Sequence, residues 1–276
     1  MNKQAKRQFF DFGIFLLLCA AVILLNAIWS SRLSHTPVLN GWVLLAMILS
    51  LAAYQVRKQI QTLPFLSLGS LSTWFRIHKY TGLLSCLVFG LHINFRIPNG
   101  TFECLLAGLY LGVFFSGVAG LLLTRLIPPR LASTGAKVLF ERIPQQVQQL
   151  GEEVENIVFE NMPRSESTII PEIYANQLRS FFRKPRSILL HLLQSGRPPQ
   201  LLLVQLRGQQ RALSANEQAV MQEITNRVTI KNDLDYQFTL QGMLRVWLFV
   251  HVPLTYALLV FSTFHAVLAG AFTGGN

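Results

Sequence analysis

The chain has no C-x-x-C pair and no C-x-x-C-H anywhere in its 276 residues. Its three cysteines, Cys19, Cys86 and Cys104, are isolated thiols that read as buried apolar side chains, and an ordinary c-type haem attachment is excluded. No G-x-G-x-x-G follows a strand and no Walker sequence occurs, so a nicotinamide or flavin finds no standard cradle. Charge is scarce as well: only 13% of the residues are Asp, Glu, Lys or Arg. The basic excess, +11 at neutral pH, sits beside apolar runs and forms no long Lys/Arg block, which argues against a nucleic-acid partner. No repeat of solenoid type is present.

What the chain has in excess is apolar surface, 51% of its residues. A helix needs about 20 residues to cross a hydrocarbon core of about 30 Å. Five segments meet that length, at 10–30, 38–57, 77–96, 104–126 and 243–271. The first follows the basic stretch "MNKQAKRQ", but no convincing small-x-small cleavage site follows its long apolar run, so it reads as a retained anchor. Basic residues then set the orientation. Lys3, Lys6 and Arg7, then Arg57, Lys58, Arg76 and Lys79, then Arg125 and Arg130 fall on one side if the chain zigzags. That side is expected to be the cytoplasm of a bacterial inner membrane. The N-terminus then lies inside, while the loops at His35 and "RIPNGTFE" and the tail "GAFTGGN" lie on the periplasmic face.

Residues 128–242 separate the fourth span from the fifth and hold almost all the carboxylates. "IPQQVQQLGEEVENIVFE" carries apolar residues at helical spacing, and Ser214 with Glu217 forms a capping-box signature. "RKPRS" and "SGRPPQ" read as turns, and "PQLLLVQLRG" as a short strand or helix. The expected architecture is an all-α membrane protein: a five-helix transmembrane bundle with a small α-rich cytoplasmic insert between helices 4 and 5. It divides into spans 1–4 over 1–127, the insert over 128–242, and the last span with its tail over 243–276. The insert reads as an interaction or lid domain, and its His191, in "ILLHLLQ", as a packing residue.

Two histidines interrupt the third apolar segment, His78 and His92, and two the last, His251 and His265. Each pair is separated by fourteen residues. Fourteen residues of helix turn through about 1400°, some 40° short of four turns, and rise about 21 Å. Both rings of a pair therefore leave one face of their helix at two different depths. Segments three and five run in the same direction, which sets His78 level with His251 and His92 level with His265.

Two imidazoles at each level do not suit zinc, which wants about four ligands, and the spans offer no further carboxylate or thiol cluster. Haem iron takes four nitrogens from its own macrocycle and asks the protein only for axial ligands. Two non-covalent, bis-histidine haems b are the expectation. Gly82 and Gly90 lie where a porphyrin can approach the backbone, though ordinary helix packing explains them equally well. Arg76, Lys79 and Arg245 near the inner pair, and Arg96 near the outer, are candidates for the propionates, or plain interface charges. Pro253 is expected to kink the last helix, with Thr255 or Ser262 satisfying freed backbone groups.

With "IHKYTGLLSCLVFGLH" and "VHVPLTYALLVFSTFH" on its two paired-histidine helices, the chain resembles the transmembrane dihaem cytochrome b proteins. That group includes the respiratory cytochrome b of quinol:cytochrome c oxidoreductases and b-type subunits of bacterial oxidoreductases. The resemblance covers about half of the chain and implies that His78, His92, His251 and His265 are axial haem ligands. The Pro-Glu-Trp-Tyr quinol-site sequence is absent, as are the flavin and nicotinamide domains of ferric reductases and NADPH oxidases. The expectation is therefore a subunit of a larger complex, carrying electrons across the membrane between the quinone pool and a c-type cytochrome, multihaem cytochromes included. Two alternatives stand beside it: a haem-free scaffold or transporter subunit, and a ferric-reductase-like conduit fed by a cytoplasmic flavoprotein.

Overall fold

A computed structural model describes residues 3–32, 36–59, 70–132, 138–161, 168–183, 200–210 and 213–273. Among them every regular element is helical and none is a strand. His191, most of the two turns read at "RKPRS" and "SGRPPQ", the loop at His35 and the last residues of the tail lie outside the described residues. The elements are α1 (Lys3–Arg32), α2 (Thr36–Gln59), α3 (Leu71–His92), α4 (Thr101–Ala132), α5 (Ile143–Asn161), α6 (Ile169–Ile173), α7 (Arg179–Arg183), α8 (Gln200–Gln210) and α9 (Ala215–Thr273). A 3-10 turn at Phe140–Arg142 opens α5, and a π turn at Tyr174–Leu178 joins α6 to α7.

Four of these helices are long and apolar enough to cross a membrane: Phe9–Ser31, Thr36–Gln55, Thr101–Ala132 and part of Ala215–Ala271. The chain is thus a multi-pass membrane protein. Helix α3 falls short of the same apolar threshold because Arg76, His78, Lys79 and His92 crowd its 22 residues. Ser70 caps its start, accepting the Thr73 N–H at 3.3 Å. Its end is abrupt. Asn94 and Phe95 both take left-handed backbone, φ 52° and 53°, which costs a non-glycine residue about 1–2 kcal/mol. The Phe95 N–H donates to the Gly90 carbonyl at 2.8 Å, and its ring covers Gly90 so closely that a Cβ there would lie 2.5 Å from Cε1. The bare face of Gly90 is therefore taken by Phe95, and the glycine serves this turn.

By its internal packing the chain divides into two compact units, Met1–Leu122 with Trp247–Asn276, and Leu123–Val246. The core of the first joins α2 (Leu44, Ile48), α3 (Val88, Phe89), α4 (Tyr110) and α9 (Leu258). Helix α1 leaves large side chains such as Phe9, Leu17 and Leu24 exposed, as a lipid-facing helix does.

The second unit covers the stretch read from the sequence as an insert. Ile143, Leu150, Val154 and Val158 bury one face of α5 against Ile173 and Phe182 and against Met221, Ile224 and Val228 of α9. Ser214 and Glu217 meet as the capping signature requires, the Ser214 N–H and hydroxyl reaching the Glu217 carboxylate at 3.0 and 2.9 Å. The stretch at "PQLLLVQLRG", open between strand and helix, is the helix α8. Helix α9 starts at Ala215, far upstream of the expected 243, because its apolar positions keep helical spacing and no proline precedes Pro253. Pro253 lies inside a continuous helix. The carbonyl it leaves without a donor is that of Phe249, whereas the Thr255 hydroxyl bonds to the His251 carbonyl and Ser262 to that of Leu259.

Candidate functional site

All four paired histidines belong to the first unit. His92 closes α3, and its Nδ1 lies 2.8 Å from the Pro37 carbonyl oxygen of α2. A carbonyl can only accept, so Nδ1 carries the proton and Nε2 keeps its lone pair. That carbonyl is reachable because Gly41, one turn on, has no side chain; a Cβ there would sit 2.9 Å from His92 Cε1. Asn40, buried beside it, donates to Asn26 at 2.8 Å and ties α2 to α1.

Opposite His92 stands His265 of α9, ring centroids 6.3 Å apart and planes crossed at 79°. A metal–imidazole bond is about 2 Å, which puts two imidazoles on opposite sides of one ion about 6 Å apart by centroid. The observed 6.3 Å matches that separation. Phe102 of α4 flanks His265 with centroids at 6.1 Å.

At the other level His251 of α9 sets its Nδ1 2.7 Å from the Ser116 hydroxyl of α4. The single hydroxyl hydrogen goes to the Val113 carbonyl at 2.8 Å, so Ser116 accepts from His251 and Nε2 is again the bare nitrogen. Trp247, one turn earlier, stacks on the His251 ring at 5.3 Å and 20°. His78 of α3 lies within electrostatic reach of His251, packs its ring 5.0 Å from Tyr54, and buries its Nδ1 toward the Leu51 backbone of α2.

His78 thus lies near His251, and His92 faces His265, in the same order along both helices, so α3 and α9 run in one direction. Between the levels lies a packed plug. Ser85 and Leu258, each midway between its helix's two histidines, are buried there, with Ser85 2.9 Å from the Tyr110 hydroxyl and Phe89 stacked on Tyr110 at 4.1 Å.

The basic candidates fare differently. Arg76 is ion-paired with Asp11 of α1 at 3.3 Å, and the Lys79 ammonium lies 4.0 Å over the Tyr80 ring. Arg245 belongs to the second unit, where it pairs with Glu141 and lies over Phe140; its hydrogen bond holds the Glu141 carboxyl below the usual carboxylate range. Arg96 is exposed in the turn after His92. Gly82 sits against Leu51 of α2, 3.9 Å from where its Cβ would be.

Among the described residues no three His, Cys, Asp or Glu converge on one point. Two opposed imidazoles fall short of a zinc site but suffice for a macrocycle that brings its own four nitrogens. Neither a protein-family model nor a curated protein nor a solved structure matches this chain.

Sequence reasoning passed over Ser116, Gly41, Gly117, Gly120, Pro37 and Trp247. Ser116 had a signal, a hydroxyl in an apolar helix beside two glycines. Pro37 had none, since its contribution is a backbone oxygen.

Proposed function

We propose that this chain is a dihaem b-type cytochrome, an electron conduit through the bilayer. His78 and His251 would hold one haem and His92 and His265 the other. The observation that carries the reading is the pair of imidazole levels on α3 and α9, with the Nδ1 proton assigned at His92 and His251 so that Nε2 is free to ligate. Gly41 and Gly117 keep the rings' flanks open, a Cβ at Gly117 reaching 3.6 Å from His251 Cε1.

Held at both levels, haem would supply one-electron ferric/ferrous chemistry. The residues of the chain do the rest. The imidazoles orient, Pro37 and Ser116 hold protons at Nδ1, and Phe89, Tyr110 and Leu258 exclude water between the levels. Helix α3 serves as the fifth span: it packs on α1 and α2 and shares the core with α4 and α9, so its polar groups need not face lipid. The inner pair lies toward the cytoplasm, where the basic residues gather. On this reading the chain works with quinone or quinol on one side and a c-type cytochrome on the periplasmic side, inside a larger complex of the bacterial inner membrane.

The test is the dithionite-reduced minus oxidised spectrum of the purified chain, with extracted haem counted per polypeptide. Two haems b with low-spin bands are expected. A folded, haem-free protein from haem-replete cells overturns the reading and favours a scaffold.

A further inference from the structure

Trp247 makes more contacts with the His251 seat than a packing residue needs. Its indole N–H donates to the Ser116 carbonyl at 2.7 Å, the same residue whose hydroxyl accepts from His251. Its six-membered ring fills the bare face of Gly120 so tightly that a Cβ there would lie 2.1 Å from Cζ2. Its plane lies 20° from that of the imidazole. Ser116 and Gly120 stand one turn apart on α4, Trp247 and His251 one turn apart on α9, and each residue of one pair meets the other helix. A small-x-x-x-small pair thus receives an aromatic and a ligand together.

A hydrogen bond at Nδ1 fixes where the ring's edge points but leaves the ring free to swing about that line. A stacked neighbour removes the swing. We infer that Trp247 is a positioning residue that locks the plane of the His251 imidazole, with the Ser116–Gly120 face of α4 as its cradle. This deepens the dihaem reading and rests on it. Among the described residues no ring stacks face to face on His92, whose ring contact is His265 in crossed geometry. The two centres therefore differ in how their ligand planes are held.

The plane angle between two axial imidazoles sets the g-anisotropy of a low-spin ferric haem, so low-temperature electron paramagnetic resonance of the purified chain reads the lock directly. Wild type carrying two haems first secures the dihaem reading; absence of haem there would defeat that reading, independently of the lock. In Trp247→Leu, which removes the stack, haem content is expected to stay at two per chain, with one of the two ferric signals shifted and its midpoint potential moved. The other signal is expected to remain in place. Gly120→Ala, which pushes the indole off its seat, is expected to shift the same signal. Trp247→Phe keeps a ring for stacking but loses the N–H, and is expected to stay near wild type. Both signals unchanged in Trp247→Leu and Gly120→Ala would overturn the proposal. So would equal loss of haem in Trp247→Leu and Trp247→Phe, because a retained stack should then have preserved the centre.

Discussion

The Ser116 hydroxyl donates to the Val113 carbonyl and accepts from His251 Nδ1 at 2.7 Å, so one side chain decides which nitrogen of the imidazole is bare. Outer partners of this kind typically change ligand affinity by about 10- to 100-fold. Ser116→Ala is therefore expected to weaken retention of one haem by about that factor while the other stays bound. Ser116→Thr, which keeps the hydroxyl, is expected to retain both. Competition with apomyoglobin, followed as the loss of one of two haem equivalents, measures the difference. Equal loss from both centres would contradict the assignment of Ser116 to His251 alone.

The histidines were legible because ionisable groups are rare in apolar helices, and the fourteen-residue spacing appears twice. What holds those rings was not. Pro37 acts through a backbone oxygen, and Gly41 and Gly120 act through the absence of a side chain, which periodicity cannot distinguish from ordinary packing. Gly90 shows the same ambiguity resolved the other way, against a local turn. The start of α9 lies upstream of the expected 243 for a related reason. Its helical pattern runs from a soluble-type core at Met221 and Val228 into the apolar stretch without a breaker to mark the change.

On the dihaem reading, His92→Ala is expected to lose one haem and transmembrane electron transfer while the chain remains inserted, because the level of His78 and His251 keeps both its imidazoles. His265→Ala is expected to give the same spectrum, and the double variant no further loss, since both residues serve one site. Haem counts of one, one and one per chain would agree. A loss in His265→Ala that adds to that in His92→Ala would place the two residues in different sites.

Gly41→Ala separates local geometry from helix stability. A methyl group there would lie 2.9 Å from His92 Cε1, too close to be borne without moving the ring. The ring is expected to swing away from the Pro37 carbonyl and the His92–His265 centre to lose its low-spin signal. Gly112 of the same unit, with nothing within 4 Å of its Cβ position, is the control. Gly112→Ala is expected to raise thermal stability by up to about 1 kcal/mol, the helix-propensity gain of alanine, without touching either centre. Indistinguishable spectra for the two variants would remove Gly41 from the site.

Lys231 is fully buried in the second unit, ion-paired with Asp235 one turn on and lying 4.3 Å over the Phe181 ring. Desolvation of two charges makes such a pair a weak source of net stability, yet breaking it strands a charge in the core. Lys231→Ala and Asp235→Ala are each expected to destabilise this unit by about 3–5 kcal/mol. Lys231→Met combined with Asp235→Leu removes both charges while filling the space, so its cost is expected to be well below the sum of the two single losses. Thermal unfolding of the detergent-solubilised chain, followed by helical circular dichroism, gives the comparison. Because the pair lies outside the unit that holds the four histidines, haem content at low temperature is expected to be unchanged in all three variants. Haem lost in proportion to stability would show that the two units do not unfold independently.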